Sequence, residues 1–148
     1  MQTLIVAAFL LAAPAHAGRV PDARNVLVAS CMADKYHVSR ALLLAIRYHE
    51  NPSRLADYKA CGCRTPERVA RALRKAGKPV SRWAPGGIWG QYRVCAQTVA
   101  RRFAQHEWPL HPTRAQVTHL GEHYAEGSQE WGPDVWNLYQ QFKRNGRA

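Results

Sequence analysis

The sequence has few acidic residues. Only 10 of its 148 residues are Asp or Glu, against 21 Lys or Arg, and the formal net charge is +11 with histidine neutral. Hydrophobic residues nevertheless make up 47% of the chain, which excludes a disordered polycation. The length allows one compact domain, at most with a small appendage, and excludes a multi-domain enzyme.

Long hydrophobic runs are also scarce. The clearest, Leu4 to Ala13, is shorter than the roughly 20 residues that a membrane-spanning helix needs. It fits the apolar region of a signal peptide, and Ala15-His16-Ala17 supplies a small-x-small cleavage pattern, although residues 1–17 contain no Lys or Arg. We therefore expect residues 1–17 to be a signal peptide and the mature protein to be exported to the periplasm or beyond, without an integral membrane segment.

Cysteines number only four: Cys31, Cys61, Cys63 and Cys95. An even count in a small exported chain predicts two disulfides. A Cys61–Cys63 bridge would close a very tight ring, so we expect one bridge from each of these to Cys31 and Cys95, in either of two pairings. The Cys61-Gly62-Cys63 spacing does not fit a zinc site, and we expect neither a metal nor a cofactor.

The patterns predict a mainly α fold, with at most a small hairpin within 55–64 or 86–94. A helix is expected from Pro21-Asp22 to about Tyr36, with Val26, Leu27 and Cys31 on one face. Ser39 is a good N-cap for the next helix. That helix is apolar all round from Ala41 to Ile46, which predicts a buried central helix.

Four further helices are expected. Thr65-Pro66-Glu67 has the cap, proline and acid of a helix start, and the helix that follows is strongly basic. Another helix is predicted over 94–106, and Thr113 caps the next. The last helix carries an apolar stripe of Val135, Leu138, Tyr139 and Phe142.

Glu50 is the most informative single residue, because it is a lone carboxylate at the end of the apolar helix. The partial negative charge of a helix C-terminus and burial both disfavour an ionised carboxylate. A carboxyl group held protonated in this way can act as a general acid. The alternative is a solvated glutamate at a helix end.

The order of motifs resembles that of the SLT-type lytic transglycosylases of the lysozyme-like superfamily. Residues 34–46, ending at Glu50-Asn51, resemble the loop and apolar helix that lead to the family's catalytic glutamate. Residues 87–98 are similar to its Gly-x-x-Gly loop and following helix, with Gly87, Gly90 and Thr98 at family positions. Segments 120–127 and 135–142 resemble its two closing helices, so the resemblance spans about residues 26–142.

The chain also departs from the family pattern. Residues 51–86 form a longer, basic connection than the family usually has between these blocks. Asn51 stands where the family has serine, and Arg93 where it has glutamine. Either Tyr124 or Tyr139 takes the place of the family's late aromatic residue. These differences affect the expected substrate contacts more than the expected fold.

The resemblance implies a single lysozyme-like catalytic domain over 18–148 that cleaves the glycan strands of peptidoglycan. Glu50 would protonate the glycosidic oxygen and then accept a proton from the sugar's 6-hydroxyl, which gives a 1,6-anhydromuramoyl product. A hydrolase (muramidase) would need a second carboxylate, for which Asp57 is the best candidate. The implied substrate-binding residues are Gly87, Trp89, Gly90, Tyr92, Arg93 and Tyr124.

Two other functions fit parts of the sequence. A protein of the same fold without catalysis would bind the cell wall through its positive charge. A nucleic-acid binder is suggested by the basic residues 64–75, but these contain no base-reading motif and the chain carries an export signal. Aromatic residues that could line a sugar groove are Trp83, Trp89, Tyr92, Trp108, Tyr124 and Trp131.

Overall fold

The computed structural model describes residues 20–51, 57–103, 110–124 and 127–146, and it confirms a mainly α fold. The predicted signal peptide and Trp108 lie outside the described residues. No helix among those described is long and apolar enough to cross a membrane. The helices are α1 (Ala23–Tyr36), α2 (Arg40–Glu50), α3 (Glu67–Lys75), α4 (Gly87–Phe103), α5 (Arg114–Tyr124) and α6 (Trp131–Asn145), with a short 3₁₀ turn at Asp57–Lys59.

The apolar helix α2 is the centre of the fold, as predicted. Residues 42–48 of this helix are all buried, and α2 packs mainly against α6 and α1. The Ser39 hydroxyl accepts a hydrogen bond from the backbone N–H of Leu42 at 3.2 Å, which confirms the predicted cap. Burial on every side leaves only the two ends of α2 accessible, and Glu50 is its last residue.

Helix α1 begins where predicted but buries a different face. Asp22 caps it by accepting from the backbone N–H of Asn25 at 2.9 Å. Leu27 is 57% exposed and Cys31 is exposed, so the predicted face is wrong at these two residues, whereas Val26 is partly buried against the core. The buried face is formed by Asn25, Val28, Ala29 and Ala33. The small alanines fit against the neighbouring helices, and Asn25 joins the buried polar network described below.

The start of α3 also differs from the prediction. Thr65 does not cap the helix, because its hydroxyl donates to the backbone oxygens of Ser81 (2.6 Å) and Trp83 (2.9 Å). An antiparallel bridge joins Arg64 to Trp83, and it is the only strand-like pairing in the described part of the chain. These bonds close the basic segment into a loop tied at its base, in place of the hairpins considered from sequence.

Helix α4 begins at Gly87 rather than at Val94, so the glycine block is its first turn. A Cβ placed on Gly90 would lie 1.8 Å from the Pro85 carbonyl oxygen, so only glycine allows this approach. A helical turn that depends on glycine has the composition of a loop, which explains the error in the predicted start.

Helices α5 and α6 follow the prediction closely. The Thr113 hydroxyl accepts from the backbone N–H of Gln116 at 3.2 Å, and the predicted stripe of α6 is buried. Two glycines let the helices approach, since a Cβ on Gly121 would lie 2.8 Å from a Trp131 ring carbon and one on Gly132 would lie 3.0 Å from the Thr118 backbone. This packing buries the Trp131 indole at the start of α6, beside the end of α2.

Candidate active site

Glu50 is half-buried at the end of α2, and one of its carboxyl oxygens is held by Trp131. The indole Nε1–H donates to Oε1 at 2.6 Å, and Trp131 itself is 1% exposed. A short hydrogen bond from a rigid, buried donor fixes the position of the carboxyl group. Glu50 is therefore a positioned carboxylate rather than a freely solvated one.

The second carboxyl oxygen faces the turn formed by Cys61, Gly62 and Cys63. A Cβ built on Gly62 would lie 2.8 Å from Glu50 Oε2, and the φ of Gly62 is +65°. Glycine is thus required here both by the backbone conformation and by the carboxyl group packed against it. The two oxygens of Glu50 have different surroundings, a fixed donor at Oε1 and a glycine backbone at Oε2.

Gln91 on α4 fixes this turn. Its buried side-chain oxygen accepts from the backbone N–H groups of Cys61 (3.2 Å) and Cys63 (3.0 Å), and its amide nitrogen donates to the Cys63 carbonyl at 2.9 Å. A buried amide with these bonds satisfied rigidifies its surroundings. Gln91 therefore holds Gly62 in place against Glu50.

A second buried network supports α2 from behind. Arg47, 1% exposed, donates from Nε to Asn25 Oδ1 at 3.2 Å and from Nη1 to the Asn51 carbonyl. The Tyr92 hydroxyl donates to the same Asn25 oxygen at 2.8 Å. Arg47 thus satisfies a carbonyl just past the end of α2 and places a cation near the negative end of the helix dipole.

The predicted substrate role of Tyr92 is corrected by this geometry. Its side chain is fully buried and bonded to Asn25. Burial also raises the pKa of the Tyr92 hydroxyl, so it remains neutral. Tyr92 therefore joins α4 to α1 and does not reach a ligand.

Three buried thiols and a tyrosine hydroxyl lie next to the carboxyl group. Cys95 is within hydrogen-bonding reach of both Cys61 and Cys63, and the buried Tyr124 hydroxyl lies against Cys63 and Cys95. The Cys95 hydrogen bond and burial raise the pKa of Cys63, and burial raises those of Cys61 and Tyr124. Neutral, buried thiols are poor nucleophiles, so this cluster packs the site and does not supply a catalytic cysteine.

The predicted disulfides are not present in the structure, where all four cysteines are free thiols. Cys61, Cys63 and Cys95 lie together, whereas Cys31 is exposed on α1. A bridge from Cys95 to Cys61 or Cys63 fits this placement. A second bridge to Cys31 would have to draw a buried cysteine away from the cluster.

The two carboxylates that could assist Glu50 already have partners. Asp57 accepts a charged hydrogen bond from Arg24, and Asp134 lies 3.8 Å from the His49 ring nitrogen. His49 in turn meets Trp131 edge to face, with ring centroids 5.8 Å apart. Within the described ranges, no second carboxylate contacts Glu50.

A cavity opens beside the turn that packs against Glu50. Its volume is about 460 Å³, and its lining includes Gly62, Thr98, Arg101 and Tyr124. The Tyr124 ring is stacked on Trp131, with centroids 5.4 Å apart and planes at 18°. Of the predicted substrate-binding residues, Tyr124 is thus the one placed next to both the cavity and the partner of Glu50.

The glycine block is placed differently from the prediction. Trp89 is 43% exposed but does not line this cavity, and neither does Gly87 or Gly90. The Arg93 guanidinium lies over Gly86 and Gly90 and lines a neighbouring cavity. The middle of α4, from Val94 to Arg101, lines the Glu50 cavity in place of its first turn.

Sequence reasoning missed the roles of Gly62, Gln91 and Trp131. Trp131 is one of the aromatic residues that the sequence suggests for a sugar groove, but its burial makes it a partner of Glu50 instead. The available signal for Gly62 was a glycine between two cysteines, which indicates a tight turn but not what the turn contacts. Among the described residues, no group of three His, Cys, Asp or Glu side chains is arranged to hold a metal.

The chain matches no protein-family model, no curated protein and no solved structure. The functional assignment therefore depends on the geometry of the site.

Proposed function

We propose that this protein cleaves the glycan strands of peptidoglycan by lytic transglycosylation, with Glu50 as acid and then base. The observation that carries the proposal is the fixed Glu50 carboxyl group, which is bonded to Trp131 at 2.6 Å and packed against Gly62, a residue that lines a cavity of about 460 Å³. A general acid must be held within hydrogen-bond reach of the bond it protonates. The buried Trp131 indole and the Gly62 turn hold the Glu50 carboxyl group in a fixed position.

A mechanism with a single carboxylate is supported by the fact that Asp57 and Asp134 are each paired with another residue. Hydrolysis with retention uses a second carboxylate about 5–5.5 Å from the first. Asp57 is paired with Arg24, and Asp134 is associated with His49. In transglycosylation the sugar's own 6-hydroxyl attacks the anomeric carbon and gives its proton to the ionised Glu50, so no second carboxylate is needed.

The test is product analysis with purified peptidoglycan. We expect the wild-type chain to release anhydromuramoyl ends, and Glu50→Gln to lose this activity by about 10²–10⁴-fold, the usual contribution of a general acid. Trp131 can still donate to the amide oxygen of the variant, so circular dichroism should show an intact fold. Products unchanged in Glu50→Gln would remove Glu50 from the mechanism.

Two further variants separate transglycosylation from hydrolysis. Asp57→Asn and Asp134→Asn should each keep at least half of the activity if one carboxylate suffices. If the wild-type chain instead produced reducing ends, the protein would be a hydrolase. The variant that no longer produced them would identify the second carboxylate.

The second candidate is a cell-wall-binding protein without catalysis, and one observation favours it. The cavity beside Glu50 is lined by Arg64 and Arg101 and by no acidic residue, as expected for a site that binds anions. Binding of peptidoglycan with no products from the wild-type chain would support this alternative.

A further inference from the structure

A groove leads away from the Glu50 site between α3 and α4. Beside the 460 Å³ cavity lies a second one of about 320 Å³. The two share Pro66, Val94 and Gln97 in their linings, so they form one continuous depression. We call it the α3–α4 groove. It begins at Gly62, the residue packed against the carboxyl group, and continues past Arg93.

The charges that line this groove are all positive. Lys35, Arg64, Arg68, Arg93 and Arg101 contribute side chains from α1, α3, α4 and the segment before α3, and no Asp or Glu is in either lining. No carboxylate in the described part of the chain pairs with any of these five. A concave surface of one charge sign concentrates ligands of the opposite sign.

Two other arginines of α3 are different. Arg71 and Arg74 are both ion-paired with Glu67, at 3.8 Å and 3.2 Å. Glu67 thus partly neutralises them, while Arg68 and Arg64 line the groove. The basic segment therefore has two sets of arginines, and the groove set is the one available to an anionic ligand.

The walls between these charges are apolar or neutral. Pro66, Val69 and Val94 line the floor, and Gln97 adds an amide that donates to the Tyr36 hydroxyl at 3.1 Å. Guanidinium groups spaced along an apolar floor suit an extended chain that carries several carboxylates, because arginine binds carboxylates in a planar, bidentate manner. A uniformly charged surface without apolar contacts would not distinguish such a chain from a simple polyanion.

We propose that the α3–α4 groove binds the peptide stem of a muramoyl residue through its carboxylates, while the sugar lies at Glu50. This inference rests on the proposed function, since it takes peptidoglycan as the ligand. It follows from Gly62, which lines the groove and packs against the Glu50 carboxyl group, so a muramoyl residue held at Glu50 would have its peptide stem close to the groove. The chain would then prefer glycan that still carries peptide stems.

The test measures binding rather than cleavage, in a Glu50→Gln background. Arg64→Ala with Arg101→Ala should weaken binding to intact peptidoglycan about tenfold, as loss of direct charge contacts does. The matched control, Arg71→Ala with Arg74→Ala, removes the same charge and should change binding less than twofold. Glycan strands stripped of their peptides should bind the two double variants with equal affinity. Circular dichroism checks that each variant is folded.

Three results would overturn the inference. These are equal losses in the two double variants, stripped strands that bind as tightly as intact peptidoglycan, and a phosphate polymer that competes better than a soluble stem tetrapeptide. The last two point to sugar alone or to an anionic wall polymer. The outcome is separate from the catalytic proposal, because stem binding is measured without turnover and an active Glu50 does not require it.

Discussion

One cavity lies at the N-terminal end of α2, and another is lined by Gly62, which packs against Glu50 at the C-terminal end; the two differ in chemistry more than in size. The cavity at the N-terminal end has a volume of about 400 Å³ and is lined by Asp34, Arg40 and Lys143, so charges of both signs are present. The one beside the C-terminal end has about 460 Å³ and only positive charges in its lining. Cavity size therefore does not identify the site.

The support for each end differs as well. The N-terminal end has an ordinary serine cap, Ser39. At the C-terminal end, Glu50 is held by Trp131, packed on Gly62 and backed by the buried Arg47. Buried polar groups are costly unless they are satisfied, so this concentration of them indicates a constrained site. Four predictions test the contrast between the two ends.

The largest effect is expected from Gly62→Ala. The new Cβ would lie 2.8 Å from Glu50 Oε2, so we expect glycan cleavage to fall about 100-fold, as misplacement of a catalytic group by 1 Å can cause. Gly77→Ala is a matched control, because its φ of +67° is nearly the same and nothing lies within 4 Å of its Cβ. Equal losses of activity in the two variants would show that backbone strain, and not the carboxyl contact, matters.

Arg47→Met should destabilise the protein by about 2–4 kcal/mol, since it leaves the buried Asn25 oxygen and the Asn51 carbonyl short of a donor. Urea unfolding measures the change. Ser39→Ala, at the opposite end of α2, should cost about 1 kcal/mol, the usual value of a lost cap. A smaller loss for Arg47→Met than for Ser39→Ala would contradict the asymmetry between the ends.

Trp131→Phe removes the donor to Glu50 and keeps an aromatic ring. We expect kcat to fall about tenfold with little change in KM, because one hydrogen bond to a charged group contributes about 1.5–3 kcal/mol. Trp136→Phe, on the same helix and packed on Tyr139, serves as the control. If both variants had the same kcat, the indole bond would not position the carboxyl group.

The smallest effect concerns Asp22, which caps α1 and lies near the Tyr48 hydroxyl. Burial acts to raise its pKa, but hydrogen bonds from Asn25 and the charge of Arg47 outweigh this and lower the pKa below the ordinary 3.8. Its ionised form thus stabilises the fold above pH 3.8, and that contribution disappears as the pH falls through the lower folded value. Asp22→Ala should cost about 1 kcal/mol at pH 7.

The stability difference between the Asp22→Ala variant and wild type should shrink below pH 3.8, measured by urea unfolding at several pH values. A difference that stays constant down to low pH would show that the ionised carboxylate does not contribute.

Local signals predicted much of the fold. The caps at Asp22, Ser39 and Thr113 and the buried stripe of α6 depend on residues a few positions apart, which the sequence displays directly. The start of α4 was missed because the glycines of its first turn, of which Gly90 is needed for the close approach to the Pro85 carbonyl oxygen, have the composition of a loop. The buried face of α1 was missed because Asn25, a polar residue, is buried by its bonds to Arg47 and Tyr92.

The candidate site was predictable only in part. Glu50 at the end of an apolar helix was visible in the sequence, but its donor Trp131 lies 81 residues away and is brought there by the packing of α6 on α2 and α5. Spacing along the chain carries no information about such a contact. The same holds for Gly62, which lies in a turn whose position is set by Gln91 on α4.

The most direct test of the Glu50 mechanism is cleavage of purified peptidoglycan in ¹⁸O-labelled water, followed by mass spectrometry of the fragments. If Glu50 accepts the proton of the sugar's 6-hydroxyl, the wild-type products carry anhydro ends with no ¹⁸O, and Glu50→Gln yields no such products. Reducing ends that contain ¹⁸O would contradict this account, because they would show that water, and not the 6-hydroxyl, attacks the anomeric carbon.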